Sequence, residues 1–153
     1  MSDLAIRAAS AGDEATLTSL AWRLAEFELP PWRTAGEIAD ADGRAMIAAV
    51  HAAHPDEAVF VAERGGEPVG CLHVLLATDF FGRRHAHISV LATTAAAQGS
   101  GVGQALLAHA EVWARARGMD LLTLNVFAAN SRARRVYERG GFVPEALKYT
   151  KRL

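Results

Sequence analysis

Residues 87–104 read HISVLATTAAAQGSGVGQ, and the fold turns on them. An apolar run from Ile88 to Leu91 passes through small residues into Gln98-Gly99-Ser100-Gly101-Val102-Gly103. A helical pattern begins at once, with Leu106, Leu107, Ala110, Trp113 and Ala114 three and four apart. Strand, glycine turn and helix in this order present unpaired backbone N–H groups at a helix N-terminus. Those groups and the positive end of the helix dipole bind an anion such as a phosphate. Glycine serves there because a Cβ would hold the phosphate away and disfavour φ > 0. The P-loop requires Gly-x-x-x-x-Gly-Lys-Ser/Thr, and no such lysine follows. The dinucleotide fingerprint requires Gly-x-Gly-x-x-Gly. Here Gly-Ser-Gly-Val-Gly at 99–103 runs on into Gln104, Ala105 and Leu106, so its third glycine is missing. What remains is Gln-x-x-Gly-x-Gly, which by itself also fits a plain strand-to-helix turn.

The 153 residues suit one domain with a real core. Hydrophobic residues make up 51% and charged residues 22%, which excludes a disordered chain. No apolar run reaches the roughly 18 residues of a membrane span. The start, MSDLAIRAASAGDEA, has no charged-then-apolar leader pattern. Cys71 is the only cysteine, so an intrachain disulfide is impossible and a cysteine zinc site is not expected. Together these predict a cytoplasmic protein with no metal and no membrane partner. Net charge is −1 but unevenly divided: twelve Asp/Glu against five Lys/Arg in 1–67, five against eleven in 68–153. That split fits a solvated surface as well as a basic half for an anionic ligand and an acidic half for a cationic one. No Lys/Arg tract interleaved with aromatics is present, so nucleic acid is not expected.

Leu4 to Ala8 alternates weakly and predicts a short strand. Ser10-Ala11-Gly12-Asp13 reads as a turn and helix cap. Leu17, Leu20, Ala21, Leu24 and Phe27 mark one helix face, stopped by Pro30-Pro31. A second helix runs roughly from Thr34 or Gly36 to His54. Residues 58–64 and 68–78 read as strands about a Gly65-Gly66 hairpin turn, and 85–93 as a third strand. The helix after the glycine turn runs to Arg117, with Gly118 as its C-terminal cap. Residues 121–127 follow as a strand. Asn130-Ser131 then caps a helix to Arg139, and 142–153 form a final strand or short hairpin. The order β, α, α, β, β, β, α, β, α, β predicts an α+β fold. Its sheet is mixed and mostly antiparallel, flanked by helices as three α/β/α layers.

This order resembles the GNAT superfamily, the acyl-CoA-dependent N-acyltransferases. The likeness runs from about Ile6 to the C-terminus and is densest over 87–142. Gln98-x-x-Gly101-x-Gly103 matches the family's pyrophosphate signature Arg/Gln-x-x-Gly-x-Gly/Ala, and Leu91-Ala92-Thr93 stands where its Leu-x-Val precedes the loop. Asn130-Ser-Arg-Ala-Arg-Arg-Val-Tyr137-Glu-Arg-Gly-Gly141-Phe142 resembles Asn-x-x-Ala-x-x-x-Tyr-x-x-x-Gly-Phe. Asn130 and Tyr137 are seven apart, two helical turns, so they share a face. The resemblance implies one GNAT N-acetyltransferase domain over 1–153, with acetyl-CoA as acyl donor.

Transfer to an amine then proceeds by direct attack through a tetrahedral intermediate. An alkylammonium with pKa about 10.4 must first lose a proton. The resemblance implies that N–H groups of Gly99, Ser100, Gly101, Val102 and Gly103, with Gln98 and Gln104, hold the pyrophosphate. Leu91, Ala92 and Thr93 pair with the pantetheine arm like an added strand. Asn130 bonds that arm, and Tyr137 gives its proton to the leaving thiolate. Arg132, Arg134 and Arg135 are candidates for the 3′-phosphate and equally for a solvated helix face.

Asn125 stands where some members carry a basic glutamate, and it cannot take a proton. His85 and His87, two apart and so on one strand face, are the alternatives. His87 is favoured, because it falls where an arylalkylamine-acylating branch has a catalytic histidine; His73 is read as structural. Glu26, Glu28 and Trp32 are candidates for holding a small cationic amine. Gln98 replaces the commoner arginine and Ala95 a frequent proline. Only twelve residues follow Gly141, barely enough for a closing hairpin, which suggests that a partner completes the sheet in a homodimer. An acyl-CoA-binding regulator that lost its base is the alternative function, and a nucleotide-binding module a third.

Overall fold

The computed structural model describes residues 3–153. Strand β1, Leu4–Ala8, pairs antiparallel with β2, Glu57–Arg64. β2 turns through Gly65 and Gly66, at φ 58° and 81°, into β3, Glu67–Thr78. β3 pairs antiparallel with β4, Arg84–Thr93, and β4 pairs parallel with β5, Leu122–Leu124. The five strands lie in sequence order, antiparallel except for the last pair. Only that pair needs a crossover helix, and the glycine turn opens it.

Helices α1, Glu14–Ala21, and α2, Ala35–Ala52, cover one face of the sheet. Their Leu17, Leu20, Ala39 and Met46 meet Val59, Val61, Cys71, Val90 and Ala92. Helix α3, Val102–Ala116, covers the other with Leu106, Leu107, Ala110 and Trp113 against Leu72, Val74, Ala86 and Ile88. Helix α4, Ser131–Arg139, joins this layer through Val136 and Tyr137. The α+β fold in three layers is therefore present. Gly70 lets α3 sit close to β3: a Cβ there would lie 2.9 Å from the Ala92 carbonyl and 3.1 Å from Val102 and Leu106 side chains.

Strand β4 carries a bulge. Val90 pairs with His73 and Ile88 with Val74, leaving Ser89 unopposed. Ala86 and Ile88 thus face α3, whereas Val90 and Ala92 face α1 and α2. Pairing of β4 with β5 stops after Ile88 and Leu124, so the strands fork and the β4 edge from 89 to 93 is open.

Three predicted elements differ. The first helix is α only to Ala21 and continues as a 3₁₀ turn, Trp22–Ala25, ending well before Pro30. β5 spans Leu122–Leu124 rather than 121–127, because β4 bends away from it at the bulge. Residues 142–153 form no strand or hairpin. The three-residue β5 offers them only a short edge, Pro144 has no N–H to donate, and Val143, Leu147 and Tyr149 lie exposed.

Candidate active site

The glycine loop ends β4 and starts α3. Gly99 and Gly101 take φ 77° and 89°, and Gly101 caps the helix in the left-handed region. A Cβ at either would meet nothing within 4 Å, so both face open space. The N–H groups of Gly99, Gly101, Val102, Gly103 and Gln104 find no protein acceptor among the described residues. Those of Gln98 and Ser100 turn back to Ala95 and Ala97. Five free donors at a helix N-terminus, facing open space, form a cradle that fits a pyrophosphate.

Side chains brace this cradle. The Ser100 hydroxyl donates to the Ala97 carbonyl and accepts from Arg64 at 3.2 Å, so it is engaged within the protein. Gln98 Oε1 accepts from an Arg23 terminal nitrogen at 2.9 Å. Arg23 Nε donates to the Thr93 carbonyl at 2.9 Å, and Arg23 also pairs with Glu26. Of the segment expected to hold the pantetheine arm, Ala92 is buried, and Thr93 has its carbonyl committed to Arg23. Leu91 leans into the α3 core. Gln104 does not reach outward: its Nε2 donates to the Val136 carbonyl at 3.0 Å, tying α3 to α4.

Asn130 caps α4, its Oδ1 accepting from Ala133 N at 3.2 Å, which leaves its amide NH₂ as donor. Tyr137 packs edge-on to Phe142 at 6.0 Å and against the α3 core. Burial raises its phenol above the usual value near 10, and its hydroxyl has no protein partner among the described residues. It is therefore a protonated, available donor at neutral pH. Arg134 donates to the Ala128 carbonyl, whereas Arg132 and Arg135 are exposed.

His87 and Tyr137 approach the β4–β5 fork from opposite faces, since the flanking Ala86 and Ile88 face α3. His87 Nδ1 lies 2.7 Å from Thr123 Oγ1, and that hydroxyl reaches the Ala86 carbonyl at 3.5 Å. A hydroxyl whose proton is turned to a carbonyl accepts from Nδ1–H and leaves the Nε2 lone pair free. Burial, followed by the nearby His85 and His73, lowers the His87 pKa, so the ring is neutral at pH 7. The His85 ring is 6.3 Å away and turned edge-on. Asn125 is exposed. His73 is buried, its Nε2 2.6 Å from Glu57 Oε1.

On the His87 face a cleft of about 410 Å³ is lined by Arg33, Glu37, Ile38, Ala41, Asp42 and Phe127. Phe127 stacks at 5.3 Å on Phe27, joining the segment after α1 to the β5–α4 connection. Glu37 pairs with Arg33. Asp42 is half-buried and has no ion pair or hydrogen bond among the described residues, and burial raises its pKa. Glu28 and Trp32 are exposed and do not line this cleft. Arg23, Asp42 and Thr123 were not singled out from sequence. Two of them left a signal: Asp42 lies four residues after Ile38 on the apolar stripe of α2, and Arg23 interrupts the apolar run Leu20 to Ala25. Thr123 left none.

The model of the acetyltransferase (GNAT) family matches residues 17–142. A mycothiol acetyltransferase of Beutenbergia cavernae is 47% identical over 60 residues, which is 39% of this chain and 20% of that protein. The chain thus matches about a fifth of that relative's length. A solved transcriptional regulator from Bacillus halodurans C-125 has TM-score 0.70 at 28% identity, covering 97% of this chain and 99% of that one. An aminoglycoside N-acetyltransferase solved in complex with CoA has TM-score 0.73 over 100% of this chain and 97% of that one. At 18% identity this second likeness concerns the fold alone.

Proposed function

The chain belongs to the GNAT acetyltransferase family, and from that premise we propose that it is an acetyl-CoA-dependent N-acetyltransferase acting on a small cationic amine. In this reading residues 1–153 are one such domain, working in the cytoplasm. One observation carries it: the open β4–β5 fork, ended by five N–H groups and flanked by a Tyr137 hydroxyl that have no protein partner among the described residues. Acetyl-CoA supplies an acetyl thioester, which a neutral amine attacks to give a tetrahedral intermediate. N–H groups of Gly99, Gly101, Val102, Gly103 and Gln104 hold the pyrophosphate, and the Asn130 amide NH₂ bonds the arm.

Asp42 in the cleft meets the ammonium, and His87, neutral and with Nε2 free, takes its proton. Tyr137 returns a proton to the departing sulfur. A free thiol has a pKa of about 8.5, and the burial that holds the phenol protonated also disfavours a bare thiolate. The stretch shared with a mycothiol acetyltransferase supports acetyl transfer as the reaction. The test is CoA release from acetyl-CoA over polyamines, aminoglycosides, arylalkylamines, amino acids and short peptides. Release that depends on one amine class supports the proposal. Silence across the panel, with acetyl-CoA still binding, overturns it.

A second reading is an acyl-CoA-binding regulator without catalysis. Asn125 at the position of a basic glutamate favours it, as does the name of the Bacillus halodurans relative. We also propose a homodimer in which the exposed, unpaired segment 142–153 finds its partner strand on a second chain. A light-scattering mass of one chain at micromolar concentration removes that proposal.

A further inference from the structure

We infer that Arg23 is a positioning residue for the coenzyme: it fixes the Gln98 amide so that Gln98 presents two donors to the pyrophosphate. This rests on the proposed coenzyme site and adds a residue 75 positions away in sequence. A guanidinium has five N–H donors and no acceptor. The Gln98 atom that meets Arg23 at 2.9 Å is therefore the carbonyl Oε1, and no flipped amide satisfies the contact. Nε2 is consequently turned away from Arg23, and neither of its protons has a protein acceptor among the described residues.

The brace is itself held. Arg23 Nε donates to the Thr93 carbonyl at 2.9 Å, its other terminal nitrogen pairs with Glu26, and the side chain is 20% exposed. The residue that holds the amide thus has little freedom to turn, and the amide arrives oriented rather than paying for order on binding. Gln98 immediately precedes Gly99, the first of the residues with free N–H groups, so its NH₂ extends the same row of donors. Where the family signature commonly has arginine, this chain divides the task. Gln98 makes the contact, and the positive charge comes from Arg23 behind it, polarising the amide along the hydrogen bond.

Calorimetric titration of the full chain with CoA tests this, alongside NMR of the Gln98 side-chain amide. In the unaltered protein the Gln98 NH₂ signals shift on CoA addition. Arg23→Gln has donor and acceptor at one end, so it meets the Gln98 amide in either orientation; CoA affinity falls about tenfold and the shift is lost. Gln98→Glu keeps an acceptor for Arg23 but has no donor and adds charge; affinity falls further, by tenfold to about a hundredfold. Backbone amide spectra report whether each variant is folded. CoA affinity unchanged in folded Gln98→Glu overturns the inference while leaving the glycine cradle intact. A Gln98 shift that persists in Arg23→Gln removes Arg23 from it. Failure of the unaltered protein to bind CoA overturns the coenzyme site as a whole.

Discussion

The two sides of the β4–β5 fork are built from different materials. The proposed coenzyme side is mostly backbone: free N–H groups of Gly99 and of residues 101–104 among the described residues, with glycines at φ 77° and 89°. The other side is made of side chains: a cleft lined by Arg33, by α2 and by Phe127 of the β5–α4 connection, and on the same sheet face His87 from β4 bonded to Thr123 from β5. A backbone site is local and stands in a few adjacent residues. A side-chain site is assembled by topology, so its members are separated by tens of residues and each looks ordinary where it stands.

Substitutions should therefore act differently on the two sides. The largest effect is expected at the shared centre. Tyr137→Phe removes the proposed proton donor and should lower kcat by about 10²-fold or more, with CoA affinity nearly unchanged by calorimetry. Equal losses in affinity and turnover would make Tyr137 a packing residue instead. Next comes Gly101→Val. A β-branched residue at φ 89° costs on the order of 1–3 kcal/mol, and its side chain occupies the space left for the phosphate. Weaker CoA binding with an unchanged acceptor KM in acetyl-CoA-saturated assays would sharpen the contrast between the sides.

Thr123→Val frees the His87 tautomer and should lower kcat by roughly fivefold, the worth of one hydrogen bond, with Thr123→Ser restoring it. The pH profile is the companion test. Because the active form of His87 is neutral and its pKa is lowered, kcat/KM should be flat at neutral pH. It should fall only as pH drops through a value below 6.5. A limb above pH 7 would remove His87 as base. The smallest effect is expected from Asp42→Asn: the KM of a cationic amine rises about threefold to fivefold, and CoA affinity stays the same. A change confined to CoA would place Asp42 on the wrong side of the comparison.

Much of the fold was legible because its signals are short-range. Gly65-Gly66 forces the β2–β3 hairpin, Thr34 caps α2 by accepting from Glu37 N, and α3 follows from its apolar spacing. The shortened β5 was hidden because its cause lies in another strand, at Ser89. The missing final strand was hidden for a related reason: 142–153 has residues suited to an extended chain, but a strand also needs an edge, and β5 at the end of the sheet offers one of only three residues. In the site, the glycine loop and α4 were visible as motifs. Arg23 was not, because its value lies in a contact with Gln98 that only the packing of the 3₁₀ turn Trp22–Ala25 against the end of β4 creates.

The unopposed Ser89 gives β4 something like a reading frame. Every strand is read two residues at a time, one facing each layer. Here the frame shifts by one at residue 89, so the half with His85 and His87 and the half leading to the glycine loop are read in opposite phase. Changing the letter at 89 preserves that shift, whereas losing the codon erases it. With 89 gone the alternation would run regularly, Ile88 and Leu91 still facing α3 and Val90 and Ala92 still facing α1 and α2. What would be lost is the bend that the extra residue puts into β4, and with it the parting of β4 from β5 that opens the fork.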